Sequence, residues 1–237
     1  MLTKKCLVII PARKGSKRVP NKNRKLFSGK PLISWTVNAA KESRLCNEIY
    51  VSTDDKIIVE ITKDLGLSVE SLRPKELSLD ASKTIDVVKY VLKEYESKGT
   101  CFEYIILLQV TSPLRTSEHL DEAIQMFLDK EAKSVTSVCE MEHSPLWSNT
   151  LDKDLSMDGF LSDEVKNSRS QDLPSYYRLN GAIYIVRTDT LLSENSFIAK
   201  NQSYAYVMDN EDSVDIDTPL DFDIAQMIMN KRILDES

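Results

Sequence analysis

The sequence predicts an α/β protein: a doubly wound, mostly parallel sheet with a small inserted arm. Three observations support this prediction. Short apolar runs alternate with helical patterns through the first 140 residues, which is typical of strand–helix–strand units. The alternation stops between residues 140 and 180, and it then resumes to the end of the chain. The length of 237 residues suits a single domain over residues 1–237 that carries an arm over residues 140–180.

The first half of the chain supplies four predicted strands and three helices. The run Cys6–Ile10 is continuously apolar and rich in β-branched residues, which indicates a strand buried on both faces. The patterns predict further strands over Glu48–Thr53, Leu67–Ser71 and Tyr104–Leu108. They predict helices over Pro31–Ser43, Lys56–Leu65 and Thr84–Glu96, the last with Thr84 as its N-cap.

The second half continues the pattern around the arm. A helix is predicted over Ser117–Leu128 and a strand over Ser134–Cys139. The arm is polar and has no long helical pattern, but it contains several large apolar side chains that need a packing partner. After it, the patterns predict strands over Ala182–Val186 and Tyr204–Met208 and a helix over Pro219–Asn230.

Composition and local sequence patterns limit the classes of binding partner and the cellular compartments that we expect for this protein. A net charge of −6 argues against general binding to nucleic acid. No stretch approaches 18 uninterrupted apolar residues, so no membrane span is expected, and the N-terminus lacks the features of a signal peptide. Four scattered cysteines without a C-x-x-C pair suggest thiols in a reducing, cytoplasmic environment.

Positive charge is concentrated just after the first predicted strand. The first 41 residues contain eleven Lys and Arg and no Asp or Glu, and most of the cations fall in Arg13–Lys25. Such a loop, at the carboxyl end of a strand in an α/β sheet, is placed to bind a polyanion. Gly15 and Ser16 allow a tight turn, and Arg13, Lys17 and Lys22 can reach separate phosphate oxygens. The competing interpretation is a solvated basic loop.

Negative charge is concentrated near the other end of the chain, in Asp215-Ile-Asp217. In extended backbone, residues two apart point to the same side, so the two carboxylates would repel each other. A hard divalent cation such as Mg²⁺ binds carboxylate and phosphate oxygens together and would remove that repulsion. The competing interpretation is that Asp217-Thr-Pro caps the last helix.

Further polar residues follow two other predicted strands. Gln109-Val-Thr-Ser-Pro-Leu-Arg115 would stand at the same sheet edge as the basic loop, although it also suits a polar turn with Ser117 capping the next helix. Gly181, in Arg178-Leu-Asn-Gly-Ala-Ile-Tyr184, would let a ligand approach the backbone.

Taken together, these segments resemble the acylneuraminate cytidylyltransferases, also called CMP-sialic acid synthetases. The resemblance covers essentially the whole chain, and the order of its motifs is far more specific than any one of them. The motifs are Ile10-Pro-Ala-Arg-x-Gly-Ser-Lys with Lys22-Asn23, Val51-Ser-Thr-Asp54, Leu72-Arg-Pro74, Gln109-x-Thr-Ser-Pro-Leu-Arg-Thr116, Met141-Glu-His-x-Pro-Leu146, Asn180-Gly-Ala-Ile-Tyr184 and Asp215-Ile-Asp-Thr218.

The resemblance implies an enzyme that joins CTP and a nine-carbon 2-keto sugar acid, N-acetylneuraminate, into the CMP-sugar and pyrophosphate. It implies catalytic roles for Lys22, Arg13 and Asp217, and Mg²⁺ as cofactor held by Asp215 and Asp217. It implies that the arm forms a homodimer. The residues implied for the nucleotide are Arg13, Ser16, Lys22, Asn23, Arg73 and Thr84, and those for the sugar are Gln109, Arg115, Arg169 and Tyr184.

One position departs from the sialate-specific pattern. Trp147 follows His-x-Pro-Leu, where sialate-specific bacterial relatives carry a lysine. An indole suits a less polar sugar tail, so a related nonulosonic acid such as N,N'-diacetyllegionaminic acid is an alternative substrate. Trp147 could equally pack in the arm interface.

Two more distant alternatives are weaker. Cytidylyltransferases for the eight-carbon sugar acid of lipopolysaccharide share the Pro-Ala-Arg loop but not the Gln-x-Thr-Ser-Pro-Leu-Arg segment. A non-catalytic nucleotide-sugar binding module would be expected to lose the phosphate lysine or a metal aspartate, and this sequence keeps Lys22, Asp215 and Asp217.

Overall fold

The computed structural model describes residues 2–235. Its strands are β1 (Leu2–Pro11), β2 (Leu26–Phe27), β3 (Lys30–Pro31), β4 (Glu48–Ser52), β5 (Thr100–Leu107), β6 (Ser134–Glu140), β7 (Tyr177–Arg187) and β8 (Ser203–Val207). Its α-helices are α1 (Leu32–Glu42), α2 (Lys56–Asp64), α3 (Thr84–Ser97), α4 (Ser117–Asp129), α5 (Thr188–Glu194) and α6 (Pro219–Asp235). No helix among these residues has the length and apolar character needed to cross a bilayer.

Six strands form one sheet in the order β4-β1-β5-β7-β6-β8, and β2 and β3 form a separate hairpin. Strand β1 runs parallel to both β4 and β5, and β6 runs parallel to β8. Strand β7 is antiparallel to both of its neighbours. The α/β class with a mostly parallel sheet is therefore confirmed, with one reversed strand at its centre.

Apolar side chains fill both faces of the sheet, as expected for strands covered by helices on each side. On one face, Val8, Ile10 and Ile106 pack in a large cluster with the apolar faces of α1 and α4. On the other, Leu7, Ile9 and Ile105 pack in a smaller cluster that includes residues of α3. Alternate residues of β1 thus point to opposite layers.

Most predicted elements are confirmed within five residues at their ends, but two details in the first half of the chain are wrong. Leu67–Ser71 forms no strand: β4 is paired with β1 alone in the described sheet, and this segment passes beside it without a ladder. Thr84 is the first residue of α3 rather than its cap, because Lys83 occupies the N-cap position.

Other local features were missed. The short helix α5 and the hairpin of β2 and β3 have too few residues to show a period. The cap of α4 is Thr116 rather than Ser117. The hydroxyl of Thr116 accepts a hydrogen bond from the backbone N–H of His119, and Nδ1 of His119 accepts one from the backbone N–H of Thr116.

The inserted stretch joins the antiparallel pair β6 and β7. Between residues 141 and 176 the backbone forms turns and two 3-10 helices, Pro145–Trp147 and Ser170–Asp172. The arm begins where the backbone N–H of Met141 donates to the carbonyl oxygen of Tyr176 at 2.8 Å. The absence of a long helix in this range agrees with the sequence pattern.

Candidate active site

The carboxyl ends of β1 and β5 meet at one edge of the sheet, and a cavity of about 410 Å³ opens there. The basic loop after β1, the turn after β5 and the acidic segment before α6 all reach this cavity. The residues that line it include Arg13, Gly15, Ser16, Lys17, Arg18, Lys22, Asn23, Asp80, Thr111 and Asp217. The structure therefore brings together the basic loop and the acidic pair that stand about 200 residues apart in sequence.

Local hydrogen bonds fix the course of the basic loop. Gly15 has φ of +89°, a conformation that side chains disfavour. The side-chain amide of Asn23 donates to the carbonyl oxygen of Arg13 at 3.0 Å. The backbone N–H of Lys14 donates to the carboxylate of Asp54 at 2.6 Å. Asp54 thus anchors the loop from the end of β4.

Lys22 is the buried cation of this loop, with 8% of its surface exposed. Its ammonium donates to the carbonyl oxygen of Ile216 and lies 3.8 Å from Oδ1 of Asp217. Burial lowers the pKa of Lys22, and the carboxylates of Asp217 and Asp215 oppose that change. Lys22 therefore connects the basic loop directly to the acidic segment.

Acidic side chains pair with the other loop cations. Asp80 forms ion pairs with Lys17 and with Arg13, the latter at 2.7 Å. Arg18 pairs with Asp217 at 2.9 Å. Hydrogen bonds from Lys17 and Arg13 lower the pKa of Asp80. An incoming polyanion would have to displace these carboxylates to gain the same cations.

We expect Asp80→Asn to strengthen the binding of a polyanion several-fold, because the neutral amide no longer competes for Arg13 and Lys17. Titration with inorganic triphosphate would measure the dissociation constant. Glu76→Gln is the matched control, since Glu76 is exposed on the same connection and stays out of the cavity lining. An unchanged or higher dissociation constant in Asp80→Asn would contradict the competition.

Asp215 lies deeper than Asp217 and faces β7. Its Oδ2 lies 3.6 Å from the position a side chain at Gly181 would occupy, and Nε2 of Gln109 lies 3.3 Å from the same point. Burial raises the pKa of Asp215, and the nearby hydroxyl of Thr111 opposes this rise. Tyr184 is half-buried beside this group, where a hydrogen bond with Gln109 opposes the rise that burial causes in its pKa.

Gly181 has φ of +76°, so an added Cβ meets both backbone strain and these two side chains. We expect Gly181→Ala to reduce the free energy of unfolding by more than the about 1–2 kcal/mol that a left-handed residue costs by itself. Denaturant unfolding would measure it. Gly159→Ala, at φ +68° with open space around it, is the control: equal losses would show that crowding at Gly181 adds nothing.

The acidic segment is pinned on two sides at Ile216. Its backbone N–H donates to the carbonyl oxygen of Thr111 at 2.8 Å, and its carbonyl accepts from Lys22. The carboxylates of Asp215 and Asp217 flank this fixed residue. The geometry explains why both acids influence Lys22 although one is half-buried and the other exposed.

A buried network that sequence reasoning missed supports the same segment. Asn180 accepts from the hydroxyl of Ser137 at 2.5 Å and donates to that of Ser213 at 2.9 Å. The pairing of β6 with β7 is irregular at this point, between Thr136 and Val138. The only sign of this network in the sequence is that Asn180 precedes Gly181, and no role was predicted for Asn180. Asn180 links the irregular part of β7 to the residues just before Asp215.

Seven of the predicted site residues do not line the cavity. Three of them, Asp215, Gln109 and Tyr184, form the group described above, and the other four lie elsewhere. Arg73 is buried at the end of β4, where Nε donates to the hydroxyl of Ser52 at 2.9 Å; burial lowers its pKa to about 10. Thr84 is exposed at the start of α3. Arg115 is buried beneath the turn after β5, and Arg169 pairs with Asp172 in the arm at 2.9 Å. Their ligand roles stay predictions.

The residues present fit a hard divalent cation. Oδ1 of Asp215 is buried and has no hydrogen-bond partner among residues 2–235, so it keeps an unused acceptor. Asp217 presents an exposed carboxylate at the mouth of the same cavity. Two carboxylate oxygens and the phosphate oxygens of a nucleotide form a ligand set that suits Mg²⁺.

Comparison with known proteins agrees with this geometry. The family model described as "Cytidylyltransferase" matches residues 7–237. The chain belongs to this cytidylyltransferase family, whose members are nucleotidyltransferase enzymes. It is 36% identical over 229 residues to a Legionella pneumophila protein named CMP-N,N'-diacetyllegionaminic acid synthase, covering 94% of this chain and 95% of that protein.

Two further comparisons place this cytidylyltransferase among its relatives. It is 42% identical over 223 residues to the N-acylneuraminate cytidylyltransferase of Streptococcus agalactiae, covering 92% of this chain but only 52% of that protein. A solved CMP:2-keto-3-deoxy-manno-octonic acid synthetase complexed with CTP has the same fold, with a TM-score of 0.71. That structure covers 97% of this chain and all of its own, at 18% identity, and so it bears on the fold alone.

Proposed function

We propose that this cytidylyltransferase transfers CMP from CTP to a nonulosonic acid and releases pyrophosphate. N-acetylneuraminate is the principal candidate substrate. The observation that carries the proposal is the cavity at the carboxyl ends of β1 and β5, where loop cations face Asp217 and where Lys22 is also influenced by the charge of Asp215. The family and the two named relatives support the same reaction class.

In this reaction the anomeric hydroxyl oxygen of the sugar attacks the α-phosphorus of CTP. A new oxygen–phosphorus bond forms, the bond to the bridging oxygen of the β-phosphate breaks, and pyrophosphate leaves. Arg13, Lys17 and Arg18 bind the triphosphate after exchanging their carboxylate partners for phosphate oxygens. Lys22 stabilises the charge that accumulates on the leaving group.

We propose Mg²⁺ as the cofactor, held by Asp215 and Asp217. When bound, it supplies charge neutralisation for the phosphates. The proton of the sugar hydroxyl goes to Asp217 or to a group held by the cation, and the two routes remain alternatives. Gln109 and Tyr184 lie on the far side of Asp215, where they would orient the sugar.

The alternative substrate, N,N'-diacetyllegionaminic acid, is favoured by one observation. Trp147 lies half-buried in the 3-10 helix of the arm, at the position where the sialate-specific pattern has lysine. An apolar ring there suits a sugar tail with fewer hydroxyl groups. The Legionella relative, which the chain matches over 95% of its length, bears the corresponding name.

Pyrophosphate release from CTP with a panel of nonulosonic acids would test the proposal. We expect turnover with at least one nine-carbon acid and little with the eight-carbon acid. The Trp147→Lys variant gives a second test. If Trp147 contacts the sugar tail, the variant should have a higher kcat/KM for N-acetylneuraminate relative to N,N'-diacetyllegionaminic acid than the wild-type enzyme has. No release with any acid would overturn the proposed function.

We also propose a cytoplasmic homodimer assembled through the arm. The arm exposes large apolar side chains, among them Leu155 at 70% and Met157 at 60%. Such a surface is costly in a monomer and typical of an interface. The four cysteines form no disulfide within residues 2–235, which suits a reducing compartment.

Light scattering at micromolar concentration should therefore give twice the chain mass of 27.0 kDa. Leu155→Asp should shift the particle towards the monomer by placing a charge in the interface. Leu234→Asp, at a 75% exposed position on α6, is the control and should stay dimeric. A wild-type particle of 27.0 kDa would contradict the dimer.

A further inference from the structure

Arg115 is a buried cation without a carboxylate partner. Its residue is 2% exposed, and no carboxylate of residues 2–235 forms an ion pair with it. Burial lowers its pKa to about 9. Burying a charged arginine without a carboxylate partner costs free energy of folding. We therefore expect the hydrogen bonds of Arg115 to have a functional role.

Those hydrogen bonds go to backbone on two separate elements. Nη1 donates to the carbonyl oxygen of Ala182 in β7 at 2.8 Å and more weakly to that of Gln109 at 3.4 Å. Ala182 follows Gly181, and the side chain of Gln109 lies 3.3 Å from the point a Cβ at Gly181 would occupy. One guanidinium therefore ties together the two backbone stretches that approach each other beside Asp215.

We infer that Arg115 is a positioning residue for sugar binding: it sets the side chain of Gln109 against Gly181 by bridging their backbones. The inference rests on the proposed function and changes the expected role of Arg115, because a side chain buried to this extent does not reach a substrate in the cavity. Nη2 and Nε are also buried without hydrogen-bond partners in the described residues. The bridge at Nη1 is thus what the side chain contributes at this point.

The prediction is a change confined to one substrate. Arg115→Lys keeps the charge but not the planar, two-sided donor, so Gln109 loses its fixed place. We expect the KM for the sugar acid to rise about 10-fold, within the range that a misplaced contact produces. The KM for CTP should stay within about twofold, because both hydrogen bonds of Arg115 go to Gln109 and Ala182 rather than to the basic loop.

Arg232→Lys is the matched control. Arg232 donates to the carbonyl oxygen of Leu114, in the same turn, at 3.2 Å and pairs with Asp212 at 2.7 Å. Arg232→Lys should lower the melting temperature about as much as Arg115→Lys does, but it should not raise the KM for the sugar acid selectively. A KM does not depend on the fraction of enzyme that folds, and Arg115→Gln offers a second variant if Arg115→Lys is poorly expressed.

A double-mutant cycle with Gln109→Ala separates positioning from direct contact. If Arg115 acts through Gln109, the sugar KM of the double variant should match that of Gln109→Ala alone. Multiplicative effects, an equal rise in both KM values or an unchanged sugar KM would each overturn the inference. Failure of the proposed function is distinct, because wild-type enzyme would then release no pyrophosphate with any nonulosonic acid.

Discussion

Replacement of Lys22 by alanine should lower kcat by about 100-fold or more, the scale of losing one donor that stabilises transition-state charge. Lys22 is buried at the base of the cavity, where its ammonium adjoins Ile216 and Asp217. In the proposed reaction, its interaction with the departing pyrophosphate would strengthen as negative charge builds up there, because the site has a low dielectric constant. Stopped-time pyrophosphate assays at saturating substrates would measure the loss.

The KM for the sugar acid should change little in Lys22→Ala, because we propose that the part of the cavity around Lys22 binds the phosphates. Lys14→Ala is the matched control: Lys14 is exposed in the same loop and stays out of the cavity lining, so its kcat should be unchanged. Circular dichroism would verify that both variants fold. If Lys22→Ala kept its kcat and lost sugar affinity instead, the loop Arg13–Lys25 would have been assigned to the wrong substrate.

Replacement of Asp215 by asparagine should also lower kcat, by about 100-fold or more. A charge-stabilising metal contributes several kcal/mol, and the variant loses one of the two carboxylates proposed to bind it. Asparagine preserves the size of the side chain, so folding should be little affected. Asp217→Asn should behave similarly, and excess chelator should stop the wild-type enzyme.

Direct metal titration distinguishes this role from a structural one. Binding of Mn²⁺ in the presence of CTP, followed by electron paramagnetic resonance, should weaken in Asp215→Asn. Asp223→Asn, an exposed position on α6, should bind as wild type does. Full turnover of the wild-type enzyme in excess chelator would refute the metal site.

The strongest sequence signals were local, and those for the first strand and for the family are confirmed. The continuous apolar run in β1 predicted a strand buried on both faces, since only such a strand tolerates apolar side chains at every position. The concentration of cations directly after it predicted a polyanion site, because carboxyl ends of strands meet at one sheet edge. Motif order also gave the family, which the match over residues 7–237 confirmed.

Errors arose where a pattern depends on partners rather than on neighbours in the chain. Leu67–Ser71 has the composition of a strand, but a strand exists only where a ladder forms, and here it does not. Strand β7 has an ordinary apolar pattern, and its reversed direction follows from the arm that returns the chain antiparallel to β6.

By itself, the sequence determined the fold class, the family and the two charged segments of the candidate site, because periodicity, turn residues and motif order are local properties. The tertiary structure alone decided which charges meet. Asp80 pairs with Arg13, and Arg115 donates to the carbonyl oxygen of Ala182. The two residues of each pair are 67 positions apart in the sequence, and nothing in that separation indicates a contact. Such contacts depend on how strands and turns pack in three dimensions, and no period along the chain encodes them.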